Sequence, residues 1–490
     1  MTLKDHIDTG LKMTFAARVV RIAANGLLMV LLTQFLLRPA EYGLLFLALA
    51  ILGVFQLFCD LGLAKSAARY VTEFKETDPT QIPHILRTAL KYRLLLFTIV
   101  GFIFLLVHTH IASFFDTPAL TPFLLLGILY MGFHSFTAFS SVLFQGFDRV
   151  VWSASTQTVQ HVCRVIFALI LVLGFGLGGI GVLVGYIIAA ALAAATAFFI
   201  LYTRFYTAFE KAESPEPGLP RKILEYSIPL TATRSANVLT YKVDTLLIGF
   251  FLNPVAVGYY TLAKQISMTM LVPAGSLGFS ISPTYGKQKA NDQLEQAARL
   301  YETTLQHTLV LYVPAATGII LVAEPAVRLI FGQEYLGAVP VLQIFSAYIV
   351  LRALNSITTD ALDYLGQARS RAIAKMATAI ANCGLNVLLI PEFGVAGAAI
   401  ATVATFSIYT LANLYIMHCE VSLSIGRLLQ PISTISAVTV GMSIAVVIAT
   451  QYISGIPSLT GVILLGMAVW GGLVTASGLL DIRTVVSAIS

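Results

Sequence analysis

The chain has 490 residues, of which 57% are hydrophobic and 11% charged, with a formal net charge of +6. A soluble domain carries about 25% charged residues, so an aqueous fold could not hide this much apolar surface. The positive balance does not mark a nucleic-acid partner, because the basic residues sit at the ends of apolar runs and form no solvated patch or tail.

Crossing the hydrocarbon layer as a helix takes about 20 residues, and a helix satisfies its own backbone hydrogen bonds without water. Apolar length and turn residues predict about fourteen transmembrane helices. They lie near 14–37, 42–65, 88–108, 119–145, 150–173, 178–203, 223–252, 256–282, 300–331, 336–362, 370–390, 394–418, 428–451 and 459–480. The amino end has no short apolar core followed by a small-residue cleavage site, so the first span is expected to be retained.

In chain order, Asp60 ends the second span close to Lys65. Lys and Arg, among them Lys65, Arg69, Lys75, Arg87, Lys91 and Arg93, gather at one set of span ends. Short cytoplasmic loops retain positive charge, so both termini are expected to be cytoplasmic. Cys59, Cys163, Cys383 and Cys419 are scattered singly, with neither metal-ligand spacing nor a disulfide framework. They read as packing residues.

Between Tyr206 and Lys222 a polar stretch with Pro215, Pro217 and Pro220 reads as a linker. Beyond it the chain repeats. Pro254 and Gly258 match Pro39 and Gly43 at an offset of 215 (254 − 39 = 215), and Gly394 and Gly397 match Gly176 and Gly179 at 218 (394 − 176 = 218). Six spans separate the copies, and an even number returns the chain to the same side. The predicted fold is therefore all-α and polytopic. Two six-helix bundles, 1–205 and 223–420, are related by a pseudo-two-fold along the membrane normal, with a linker at 206–222 and an accessory helix pair in 421–490. From Leu428 to Leu480 there is no charged residue or histidine, so that pair faces lipid or other apolar helices.

Four cations, Arg164, Arg234, Lys264 and Arg352, fall near the middle of four different spans. Each costs about 2.5–3.5 kcal/mol to insert, so together they imply a wet or counter-charged interior and a site for an anionic group. Helical spacing groups Gln157, Gln160, His161 and Arg164 in one stripe. It places Arg234, Asn237, Tyr241 and Asp244 in a second, and Tyr348, Arg352, Asn355 and Thr359 in a third. The expected substrate-binding set is Arg164, Arg234, Lys264, Arg352, Asn237, Tyr241, Gln157, His161, Tyr348 and Asn355, around a central polar cavity. Lys242 points away from the Asp244 face and ranks lower. The structural alternative is pairing of these cations with carboxylates on neighbouring helices.

Asp244, Asp60 and Asp360 are candidates for carrying a coupling ion, H⁺ or Na⁺. Asp60 and Asp360 also have a plainer account, capping or pairing with Lys65 and Arg369. His134 and His161 read as packed histidines. Pro229, Pro273 and Pro314 fall inside spans, as hinges or fixed kinks. No metal ligand set, cofactor motif or ATP-binding glycine loop is present in the sequence.

The run from Leu385 to Thr402, LNVLLIPEFGVAGAAIAT, resembles the signature of bacterial polysaccharide and O-antigen flippases, as do Asp60-Leu61-Gly62-Leu63 and the two Pro-to-Gly turns. The family belongs to the superfamily that also holds multidrug and toxic compound extrusion proteins and lipid II flippases. The resemblance implies a plasma (inner) membrane transporter of lipopolysaccharide-type biosynthesis, not an enzyme. It would move an isoprenoid diphosphate-linked oligosaccharide from the inner to the outer leaflet, with membrane lipids and polysaccharide assembly proteins as candidate partners. The rivals are a lipid II flippase, a multidrug cation antiporter and, from another class, a membrane glycosyltransferase or polymerase. The last would need an outer loop carrying acid, base or metal ligands, and every predicted outer loop is short.

Overall fold

The computed structural model describes residues 19–479, apart from the side chains of 232–237, 239 and 240. Every regular element among them is helical. Eleven helices are long and apolar enough to cross a membrane. One of these, Ala368–Val421, is interrupted at Gly394, whose φ of 59° and ψ of −139° are not helical, so it comprises two spans end to end. Together with Leu219–Phe251 and the broken pair Pro254–Thr269 and Val272–Ala290, the pattern is consistent with fourteen crossings. The chain divides into two compact units, one up to Gly258 and the other from Tyr259.

The first unit contains α1 (Val19–Leu36), α2 (Pro39–Asp60), α3 (Leu63–Thr77), α4 (Ile82–Phe114), α5 (Thr121–Gly146), α6 (Val150–Leu169), α7 (Gly178–Leu201) and α8 (Leu219–Phe251). The span expected over 42–65 is not continuous. Helix α2 stops because Leu61 and Gly62 adopt left-handed conformations, φ 40° and 75°, and α3 departs from there. A Cβ on Gly62 would come within 2.6 Å of the Ser227 carbonyl oxygen, so glycine is required for φ and for space alike.

The polar stretch at 206–222 is tied down. Gln81 donates to the Ser214 carbonyl at 3.3 Å and accepts from the Glu216 amide at 2.9 Å, while the Ala212 amide donates to the Thr80 carbonyl at 3.1 Å. Pro220 does not end a helix. It lies in the first turn of α8, where a missing N–H costs nothing.

The duplicated turns meet. A Cβ on Gly43 would collide with the Pro254 carbonyl, and one on Gly258 with the Pro39 carbonyl. The two motifs at an offset of 215 are thus each other's packing partners, backbone against backbone.

The second unit holds α9 (Pro254–Thr269) from Tyr259 on, α10 (Val272–Ala290), α11 (Leu294–Ala326), α12 (Val339–Tyr364), α13 (Ala368–Val421), the short α14 (Ile425–Leu429), α15 (Ile432–Thr450) and α16 (Ile456–Ala476). The eighth span, expected over 256–282, is broken, and Pro273 sits in the first turn of α10 and not inside a continuous helix. The Tyr312 hydroxyl bridges that break, donating to the Met270 carbonyl and accepting from the Ala274 amide, each at 3.0 Å. Pro314 lies inside α11 and leaves the Val310 carbonyl without its helical donor; the Trp470 indole N–H from α16 supplies one at 3.0 Å. The uncharged accessory pair is therefore packed on α11 beside Pro314.

The repeat is also visible helix by helix. α5 and α12 each have 26 residues, start 218 apart (339 − 121 = 218), carry proline in the first turn and follow a 3₁₀ turn. Both are followed by a left-handed residue, Asp148 at φ 57° and Gly366 at φ 83°.

Candidate functional site

Each unit presents its own group of polar and aromatic side chains. In the first, α5 supplies Tyr130 and His134 one turn apart, with ring centroids 5.1 Å apart and planes at 7°. Helix α6 faces them with Gln160, whose amide nitrogen lies 2.9 Å from His134 Nδ1. One turn further along α6, Arg164 donates to the Asn25 side-chain oxygen on α1 and lies 4.9 Å over the Tyr186 ring of α7. Tyr186 and Tyr130 are 6.5 Å apart. The cluster is incompletely satisfied: His161 Nδ1 and Arg164 Nε are buried without a hydrogen-bond partner. Buried polar atoms are rarely left so, and each such case calls for a water, an ion or a ligand. Gln157 is turned to Ser153, at 3.3 Å.

Of the predicted Gln157–Gln160–His161–Arg164 stripe, Gln160 and Arg164 thus meet this cluster, through partners not legible at the level of single spans. His134 is not a lone packed histidine; it shares a hydrogen bond with Gln160 and a stack with Tyr130. One signal was available. Tyr130 and His134 stand at the offset of the glycine repeat from Tyr348 and Arg352 (348 − 130 = 218, 352 − 134 = 218).

In the second unit a chain of rings runs Tyr260, Phe345, Tyr348, Phe406, Tyr409 at centroid separations of 5.4, 5.5, 5.0 and 5.6 Å. Two expected cations lie on it. Lys264 Nζ is 5.2 Å from the Tyr260 centroid and the Arg352 guanidinium 5.4 Å from that of Phe406. A cation over an aromatic face is attracted electrostatically by the ring quadrupole. Asn355 is buried and accepts from Asn413 at 2.7 Å.

Of the second stripe, Arg234 and Asn237 lie outside the described side chains. Tyr241 is exposed and Asp244 buried. A methyl on Gly53 would lie 3.4 Å from Lys242 Cε, which places the Lys242 stem against α2.

The acidic candidates have specific settings. Asp60 is buried and paired with Arg93 of α4, not with Lys65. Arg93, expected among the solvent-side charges that set topology, is instead 4% exposed; it donates also to the Ser135 hydroxyl at 2.6 Å and lies 4.8 Å over Phe139. The reason is length. Helix α4 begins at Ile82, so Arg93 is three turns inside it, where a carboxylate must meet the charge. Asp360 packs its carboxylate against Gly278, 2.7 Å from where a Cβ would stand, and the neighbouring ion pair is Asp363–Arg371 at 2.8 Å. Among the described residues no group of three His, Cys, Asp or Glu side chains could hold a metal.

Comparison with known proteins settles the lineage. The family described as polysaccharide biosynthesis protein matches residues 12–287, more than half of the chain. The chain belongs to that family. This polysaccharide biosynthesis family member is 27% identical over 180 residues to the probable low-salt glycan biosynthesis flippase Agl15 of Haloferax volcanii, covering 37% of this chain and 38% of the relative. It is 30% identical over 168 residues to the probable flippase AglR of the same organism, covering 34% and 35%. The match thus spans little more than a third of either flippase. An uncharacterized membrane protein of Methanocaldococcus jannaschii, MJ1068, is 24% identical over 429 residues, 81% of this chain and 84% of the relative. Among solved structures the fold is similar to that of the lipid II flippase MurJ in an inward closed conformation, with a TM-score of 0.76, 17% identity and coverage of 96% and 98%. An inward-facing multidrug resistance MATE transporter gives 0.67, 14%, 83% and 94%. At these identities the fold is shared, and the family member is a multi-pass membrane protein of the MurJ/MATE type.

Proposed function

We propose that this protein is a flippase that moves an isoprenoid diphosphate-linked oligosaccharide from the inner to the outer leaflet of the plasma membrane by alternating access. The observation that carries the reading is Arg164, a guanidinium in a membrane-embedded cluster, backed by Tyr186 and with its Nε unpaired. In the second unit Lys264 and Arg352 lie on the chain of rings, so each copy carries basic side chains beside aromatic faces. The glycan flippases among the relatives and the shared fold support the substrate class and the mode of movement.

The energetics are adequate. A diphosphate diester carries two negative charges, and an interior negative by 100 mV favours outward movement of each by ~2.3 kcal/mol. H⁺ or Na⁺ is a candidate coupling ion, polysaccharide assembly proteins are candidate partners, and both termini are assigned to the cytoplasm by the distribution of Lys and Arg.

The test is reconstitution in vesicles with fluorescent farnesyl diphosphate-linked N-acetylglucosamine, scored by loss of quenching from the outer leaflet. Arg164→Gln and Arg352→Gln should each lower translocation at least tenfold with the fold intact by size-exclusion and melting. Wild-type rates in both variants would defeat the anion-site assignment. Preferred transport of a peptide-bearing substrate would point to lipid II, and of an organic cation to a drug extruder.

A further inference from the structure

The geometry points to His134 as a conditional cation: it is neutral when the first-unit site is empty and takes up one proton at Nδ1 when the diphosphate enters. This rests on the flippase reading above and deepens it. The first support is register. His134 occupies in α5 the place that Arg352 occupies in α12 (352 − 134 = 218), each one turn beyond a tyrosine, Tyr130 or Tyr348. The second copy thus carries a permanent cation where the first carries the one side chain whose ordinary titration, near about 6.5, lies close to physiological pH.

The surroundings supply the condition. From α6, Gln160 and Arg164 face His134, with His161 beside them; from its own helix comes Tyr130, from α7 Tyr186, and Arg93 of α4 and Lys242 of α8 act on it electrostatically. Arg93 is matched by Asp60. Arg164 is hydrogen-bonded to an uncharged amide, Asn25. Two negative charges entering beside Arg164 and His134 favour a proton on the ring that the bare Nδ1, now accepting from Gln160, does not hold in their absence.

Gln160 makes both states possible. With its amide nitrogen 2.9 Å from Nδ1 it donates to the bare ring nitrogen. When Nδ1 gains a proton, rotation of the amide by half a turn presents its oxygen as acceptor at the same distance. The proton comes from water, forms the Nδ1–H bond and returns to water on release, and nothing is oxidised or reduced. The buried, partnerless His161 Nδ1 and Arg164 Nε are further polar atoms of this cluster left for the same anion to satisfy.

The experiment uses the full-length protein in detergent and farnesyl diphosphate-linked N-acetylglucosamine, whose diphosphate diester does not itself titrate near neutrality. Binding is followed by calorimetry in two buffers of different ionisation enthalpy, which counts protons taken up. Wild type should absorb a substantial fraction of one proton per ligand at pH 7, and its affinity should weaken about tenfold from pH 6 to pH 8. His134→Gln should bind with no uptake. His134→Arg, which copies the second unit, should bind tightly with no uptake and a flat pH profile.

Equal uptake in wild type and His134→Gln, or binding by wild type with no uptake, overturns the inference and leaves the flippase reading standing. If wild type does not bind the probe at all, both fall. Should His134→Gln fail to fold, wild type and His134→Arg decide: a flat wild-type profile matching the arginine variant overturns the proposal.

Discussion

Helices α5 and α12 begin alike, end alike and hold a tyrosine and a basic residue at matching positions, yet they are fastened differently. In the first unit α5 is bound to its neighbours by charge: Ser135 receives Arg93, which pairs with Asp60. In the second the buried part of the equivalent helix is held by Thr358 to Tyr301 at 2.7 Å and Asn355 to Asn413 at 2.7 Å, while its Asp363–Arg371 ion pair stands partly exposed at the helix end. The same backbone repeat thus buries an ion pair beside one helix and amides and hydroxyls beside the other. Duplication fixed the path of the helices and left the chemistry between them open to diverge.

That contrast predicts unequal costs. Asp60→Ala leaves Arg93 buried without its counter-charge and should cost about 3–5 kcal/mol, seen as a large drop in melting temperature in detergent. Asp60→Leu with Arg93→Met should recover most of it. If the single change is silent, the ion pair is not the fastener of the first unit.

Next in size are the paired turns. Gly43→Val and Gly258→Val should each destabilise by at least about 1–3 kcal/mol, because the added atoms strike a carbonyl of the opposite turn and no rotamer relieves them. Equivalent roles for the two repeats require comparable losses of folded protein, measured by fluorescence-detected size exclusion. A tolerated substitution at either position would break the symmetry.

On the neutral side, Thr358→Val should cost about 1–3 kcal/mol, because the buried Tyr301 hydroxyl loses its partner, read in the same melting experiment. A cost equal to that of Asp60→Ala would erase the contrast between the units.

The smallest effect lies outside the membrane. Asp78 accepts from the Thr80 hydroxyl at 2.6 Å and from its amide at 3.2 Å, which holds the carboxyl below its ordinary range. A depressed carboxyl contributes stability above its unfolded value that is lost as pH falls through the folded one. Amide exchange at Thr80, corrected for intrinsic rates, should therefore be protected at neutral pH and lose that protection under acid, with Asp78→Ala unprotected throughout.

What could be read from the chain alone followed from rules that act locally. Apolar length set the spans, the two Pro-to-Gly turns and the 218-residue offset set the duplication, and helical spacing put Gln160, His161 and Arg164 on one face. Even the break within α13 was visible, since the expected spans 370–390 and 394–418 part where Gly394 adopts its non-helical φ of 59°.

Which residue answers which was decided only in three dimensions. Asp60 and Arg93 are 33 positions apart and meet because α2 turns sharply at Leu61 and Gly62 while α4 continues inward from Ile82. Tyr186 lies under Arg164, and Trp470 reaches the carbonyl that Pro314 sets loose, for the same kind of reason. Burial in a medium without water makes an unpartnered charge or orphan carbonyl costly. The partner is whatever side chain helix packing brings within 3 Å or so, which no periodicity along one helix specifies.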